Sequence, residues 1–220
     1  AGGQQRRHHV ALEVDPFPAS DFDDWASTYD ETVLDEAHFP FTGYQWALDT
    51  VVRLAEARPG MRVLDLGTGT ANLATSFVTQ GCILWGTDFS QAMLEQAQRK
   101  LPQSRFLLAD VRQGWPAGLP AQFDRIVSAY VFHHFDLSQK VRLLSELTAH
   151  LAPHGRLVIA DIAFPDRDSM EYYRCLIGKA WEDEFYWLAD ETIAALGMVG
   201  LHATFTSVSD CAGVFVLENI

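Results

Sequence analysis

Five side chains stand where a ligand-handling sheet would need them. Asp65 precedes the closely spaced Gly67-Thr68-Gly69, Asp88 ends the next apolar run, Asp110 ends the one after, and His133-His134 follow Ser128-Ala129-Tyr130. Gly67 and Gly69 let the backbone turn tightly and approach a ligand with no Cβ in the way, which suits a nucleotide-like tenant. A carboxylate at the position of Asp88 can accept both hydroxyls of a ribose, and Phe89 beside it could pack on an adenine face. Asp65 would repel a pyrophosphate but suits a cationic ammonium, directly or through water. The dinucleotide fingerprint G-x-G-x-x-G wants a third glycine where this chain has Asn72. Imidazoles titrate near neutrality, so His133 or His134 could orient a substrate or take a proton. Adjacent histidines point apart and no third ligand is evident, so no metal site is expected.

The elements that must carry these residues follow from periodicity. Met61 to Leu66 reads as a buried strand and Thr70 to Val78 as a helix; Cys82–Asp88, Arg105–Asp110, Phe123–Tyr130 and Arg156–Asp161 read as further strands. Helices lie between them at Ser90–Leu101, capped by Ser90, and Ser138–Leu151, ended by Pro153-His154-Gly155. Strand and helix in turn mean a parallel, doubly wound α/β sheet. At the end, Leu201–Val208 and Gly213–Glu218 are joined only by Ser209 to Ala212, which demands an antiparallel hairpin.

Before the sheet, Phe22, Trp25, Ala26, Tyr29 and Val33 recur at helical steps within Phe17–Glu36, with Ser20 and Asp21 as caps, and a second helix spans Gly43–Ala57. The chain start, residues 1–9, is polar, and residues 1–16 are expected to be disordered; residues 17–220 are expected to form one domain, with cap helices at 17–57 and a helical lid at 164–197. Phe39, Phe41, Tyr44, Tyr172, Tyr173, Trp181, Phe185, Tyr186 and Trp187 fall in those two segments. Aromatics with few basic residues suit a small, partly apolar or cationic substrate, and equally a helical cap burying itself.

Composition narrows the partners. Lys plus Arg number 16 against 29 Asp plus Glu, a net charge of −13, which disfavours nucleic acid and anionic membranes. Cys82, Cys175 and Cys211 lack ligand spacing and read as reduced thiols. With no apolar run of membrane-spanning length and no charged-then-apolar leader, a cytoplasmic monomer or homodimer is expected.

Val63-Leu64-Asp65-Leu66-Gly67-Thr68-Gly69-Thr70-Ala71 resembles motif I of the class I S-adenosylmethionine-dependent methyltransferases, with Ala71 where that family usually has a third glycine. Ala favours the helix expected to begin there. Phe22-Asp23-Asp24-Trp25-Ala26-Ser27-Thr28-Tyr29-Asp30 is similar to the entry helix of the YrrT-like small-molecule methyltransferases. The resemblance implies a seven-stranded Rossmann-like sheet, mostly parallel with the last strand antiparallel, and S-adenosylmethionine as cofactor. It implies that the Asp110 side chain and Val111 N–H meet the adenine, that Ser128, Ala129 and Tyr130 lie along the methionine part, and that Tyr29 reaches the cofactor carboxylate. His133 or His134 would face the reacting methyl, and the acceptor would be a small molecule.

Two other readings stay open. An NAD-dependent oxidoreductase also uses an acid such as Asp88, but Asn72, Asp65 and the terminal hairpin weigh against it. A protein that binds S-adenosylmethionine without turnover would keep the cofactor residues and lose the acceptor pocket.

Overall fold

The computed structural model describes residues 18–33 and 38–218; the segment 1–16, expected to be disordered, lies outside them. Five strands form in chain order: β1 (Arg62–Leu66), β2 (Ile83–Asp88), β3 (Arg105–Leu108), β4 (Phe123–Ala129) and β5 (Leu151–Phe164). They pair in parallel in the order β3-β2-β1-β4-β5. The terminal hairpin is β7 (Ala203–Ser207) and β8 (Ala212–Glu218). β8 inserts antiparallel between β5 and β7, so the last strand alone runs against the rest of this sheet, as expected. A two-residue strand, β6 (Trp187–Leu188), adds in parallel to the end of β5 and has no counterpart in the sequence reading.

Both faces of the sheet are covered, which is why its strands are apolar almost throughout. The pleat sends Val63, Val127, Val158 and Val214 to one face, against α3 (Tyr44–Ala55) and α4 (Asn72–Thr79). Leu64, Ile126, Leu157 and Phe215 go to the other, against α6 (Leu137–Ala149) and α8 (Ala189–Met198). α5 (Gln91–Lys100) packs beside β2 and β3. Arg125 fastens α3 to the sheet: its guanidinium donates to the carbonyls of Ala55 and Glu56 at the helix end, which lack intrahelical partners.

Several boundaries differ from expectation. The entry helix is two pieces, α1 (Ala19–Trp25) and α2 (Tyr29–Val33), separated by a turn in which the Thr28 hydroxyl bonds Trp25 O; residues 34–37 lie outside the description. Pro18, not Ser20 or Asp21, is the N-cap, and its fixed φ of −71° suits that place. Asp136 caps α6 in a reciprocal capping box with Gln139. Pro153-His154-Gly155 does not end α6: the helix stops at Ala149 and these residues already lie in β5, where the ladder with β4 shifts register and His154 takes φ of +60°. The region 164–197 is not all helix, since α7 (Arg167–Ile177) gives way to a 3₁₀ turn, an extended loop, β6 and α8.

Candidate active site

The carboxyl ends of β1, β2 and β4 open on a cavity of about 830 Å³, at the sheet edge where the strand order reverses between β1 and β4. Leu66, Gly67, Gly69, Asp88, Ala129 and Tyr130 line its strand side. Phe22, Trp25 and Tyr29 of α1 and α2, Phe39 and Phe41, and the loop residues Glu182, Glu184, Phe185 and Tyr186 close the opposite side.

The glycine turn is built for close approach. Gly67 and Gly69 take φ of +66° and +52°, and a Cβ on Gly67 would overlap a Val131 methyl. Ala71 is the N-cap of α4 in the left-handed region, φ +69°, so it stands before the helix and its alanine carries backbone strain that a glycine would not. Asp88 joins turn to strand: Oδ2 accepts Gly69 N–H at 2.9 Å and Oδ1 accepts Ser90 N–H at 2.9 Å. Burial nevertheless pushes its carboxyl up to about 6. Asp65 is pushed up to about 7, by burial first and the Asp88 charge second, against the Thr68 hydroxyl that donates to its Oδ2 at 2.7 Å.

Two acids dock the entry helices. Asp23 Oδ1 accepts the Ala92 N–H at 3.2 Å and the Ser90 hydroxyl at 2.5 Å, at the start of α5. Asp30 accepts from Thr70, Asn72 and Lys100, holding α2 against the helix that follows the glycine turn. This seats Tyr29 beside Gly69, where burial and neighbouring Tyr44 hold its phenol well above the ordinary value.

The other half of the cavity is organised by Asp161, buried near the end of β5. Its carboxylate accepts His133 N–H at 2.9 Å, Trp187 Nε1–H at 3.0 Å and Ile162 N–H at 2.8 Å, and meets His133 Nδ1 at 2.6 Å. Burial opposes charge on His133, but the charge of Asp161 and its hydrogen bond outweigh it and raise the imidazole above its usual value. His134 goes the other way, down to about 3, through burial and then the charge of His133. Glu184 Oε2 lies 3.5 Å from His133 Nε2, and burial raises its carboxyl.

Of the residues singled out from sequence, Tyr29, Gly67, Gly69, Asp88, Phe89, Asp110, Val111, Ala129, Tyr130, His133 and His134 line one cavity. Asp65 and Thr68 bond each other behind the turn, and the Ser128 hydroxyl donates to Leu66 O at 2.7 Å; none of the three is in the cavity wall. The Asp110 carboxylate accepts the Arg112 N–H and its guanidinium, capping the 3₁₀ turn at Val111–Gln113. Phe89 meets Phe22 edge-on at 4.9 Å between centroids. Among the aromatics of the two flanking segments, Phe39, Phe41, Phe185 and Tyr186 reach the cavity, Tyr44, Tyr173 and Trp187 are core, and Tyr172 faces solvent. Sequence reasoning missed Asp23, Asp30, Asp161 and Glu184. Asp161 was accessible by the rule used for Asp88, an acid closing a strand; nothing local distinguishes Glu184.

Residues 63–155 match the family model described as a methyltransferase domain. The chain is 35% identical over 173 residues to the uncharacterized methyltransferase YrrT of Bacillus subtilis, covering 77% of this chain and 78% of that protein. It is 33% identical over 213 residues to an uncharacterized methyltransferase of Bacillus velezensis, covering 90% and 95%. In fold it is similar to magnesium protoporphyrin IX methyltransferase from Synechocystis PCC 6803, solved with bound SAH, at 19% identity and TM-score 0.69, over 92% of this chain and 100% of that one. Sheet order, glycine turn and relatives agree, and the chain belongs to the class I S-adenosylmethionine-dependent methyltransferase family, alongside the YrrT-like proteins.

Proposed function

We propose that this methyltransferase acts on a small molecule, with S-adenosylmethionine held along the strand ends and the acceptor held between His133 and the loop at 182–186. The observation that carries the reading is Asp88, a buried carboxylate at the cavity wall whose protein donors are backbone N–H groups of Gly69 and Ser90. Such an acid suits a pair of ribose hydroxyls, which supply donors where burial has removed water. The fit extends along the turn: a side chain on Gly69 would project toward Tyr29, 3.9 Å from the Cβ position, into the space a methionine moiety needs. Asp110 and Val111 are proposed to meet the adenine, with Phe89 against its face, and Tyr29 the cofactor carboxylate. Asp65, through Thr68, shapes the turn beneath the ammonium.

The bound cofactor supplies an already activated methyl on a sulfonium, so the chain need only align a nucleophile and exclude water. Phe22, Trp25, Phe39, Phe41 and Tyr186 exclude water. Asp161 fixes the ring of His133 so that Nε2 points at Glu184 and the acceptor space, where it takes a proton from an acceptor O–H or ammonium. Closed walls and the acids Asp136, Glu182 and Glu184 favour a small acceptor over a nucleic acid phosphate backbone.

Thermal unfolding with S-adenosylmethionine, S-adenosylhomocysteine and NAD tests the cofactor, since a ligand at 100 times its Kd stabilises by roughly 2.7 kcal/mol. Stabilisation by the sulfur ligands alone is expected; stabilisation by NAD alone would reject the reading. Methyl transfer to members of a thiol, phenol and amine panel, and none to RNA or DNA, tests the acceptor class.

A further inference from the structure

We propose that His133, His134 and Glu184 bind one first-row divalent transition-metal ion at the acceptor end of the cavity. The acceptor class is then a small molecule that ligates the ion through the atom it methylates, a thiolate or phenolate. The acceptor clause rests on the proposed function; the ion site stands on its own geometry.

One ligand atom from each of the three residues lies within 4.8 Å of the other two, and His133 Nε2 and Glu184 Oε2 are 3.5 Å apart. Metal–nitrogen and metal–oxygen bonds of about 2.0–2.2 Å put two ligands of a tetrahedral ion roughly 3.4 Å apart. One edge of the site is therefore already at ligating distance, and the third ligand needs a movement of roughly an ångström.

The surroundings are those of a built site. Asp161 meets His133 Nδ1 at 2.6 Å and fixes the ring, so Nε2 is the nitrogen that faces the Glu184 carboxylate. Glu184 is held in place by backbone: Phe185 N–H donates to His133 O at 3.0 Å, and the Lys140 ammonium bonds Phe185 O. Two imidazoles and one carboxylate suit first-row divalent ions, and three protein ligands leave positions open toward the cavity for a substrate. Ligation also lowers the acceptor's pKa, a coordinated thiol losing its proton to solvent outright, and His133 then serves as a ligand rather than a base.

The test is titration of the dialysed full chain with Co²⁺, followed by visible absorption and calorimetry. His8 and His9, a second adjacent pair near the chain start, are replaced (His8→Ala, His9→Ala) so that they do not compete. One equivalent is expected to bind, and Glu184→Gln and His134→Ala are each expected to weaken binding roughly ten-fold or more. Both variants should keep the native melting temperature and the S-adenosylhomocysteine shift, which reports folding and the cofactor half. No Co²⁺ binding, or equal affinity in native protein and Glu184→Gln, overturns the site. Co²⁺ binding with no S-adenosylhomocysteine shift in native protein leaves the site standing and overturns the proposed function instead.

Discussion

Lowering the pH through 6 should weaken the cofactor's hold while making the ligand-free protein more stable. Asp88 is nearly inaccessible to water, and burial pushes its carboxyl from 3.8 up to about 6. A group raised in this way favours the protonated form in the folded state. Its unfavourable contribution is absent below the unfolded value of 3.8, builds as pH rises from there to about 6, and amounts to about 3 kcal/mol above that. Asp65, pushed up to about 7, adds to the same slope but faces Thr68 rather than the cavity. Ribose hydroxyls can be accepted well only by the ionised form, so the affinity for S-adenosylhomocysteine should fall roughly four-fold at about pH 5.5 and ten-fold at about pH 5, relative to pH 8. Calorimetry across that range measures the fall, and ligand-free melting curves measure the opposing slope. Asp88→Asn cannot ionise: its affinity should be flat with pH and lower by about 1.5–3 kcal/mol, the worth of hydrogen bonds to a charged acceptor. A pH-independent affinity in the native protein, or native affinity in Asp88→Asn, would refute the assignment of Asp88 to the ribose.

Three further outcomes are expected. Gly67→Ala drives a methyl into Val131 at a positive φ and should cost about 1–3 kcal/mol with loss of the ligand shift; adding Val131→Ala should recover part, and full recovery would show that φ does not matter. Asp30→Ala removes the acceptor shared by Thr70, Asn72 and Lys100, so amide exchange should quicken across Tyr29–Val33 with about 1–2 kcal/mol of lost stability; unchanged exchange there would mean that α2 is held by its aromatics. Trp187→Phe keeps the ring packed on Phe215 but removes the Nε1–H donated to Asp161, and urea unfolding should show a loss of about 1.5–3 kcal/mol; no loss would mean that His133 and Ile162 satisfy Asp161 unaided.

Those residues also mark how far local reading reaches. Asp88 and the glycine turn were legible because strand, turn and acid are consecutive, and a parallel sheet puts consecutive strand ends on one edge. The antiparallel finish was legible because four residues cannot cross a sheet. The entry segment was read as one helix since Phe22, Trp25, Tyr29 and Val33 keep a helical period, yet the chain turns at Ala26 to Thr28 so that Asp23 and Asp30 can bond separate helices. Pro153 looked like a helix stop and lies in β5 beside a shifted register, a choice made by pairing with β4 rather than by propensity. Ala71 looked like the first residue of a helix and is its left-handed cap.

The sequence by itself determined the sheet, its reversed last strand and the edge where Gly67, Gly69, Asp88 and Asp110 line one cavity, because each depends on spacing along the chain. Only the tertiary structure decided the part of the cavity around His133. Asp161 turns one nitrogen of His133 away from the cavity, and the loop carrying Glu184 is clamped by Phe185 and Lys140 against the other. A carboxylate far away in the chain is thereby brought within 4.8 Å of the adjacent histidines. The physical reason is that these groups meet through packing between distant segments, and local periodicity carries no record of which distant carboxylate a buried imidazole will face.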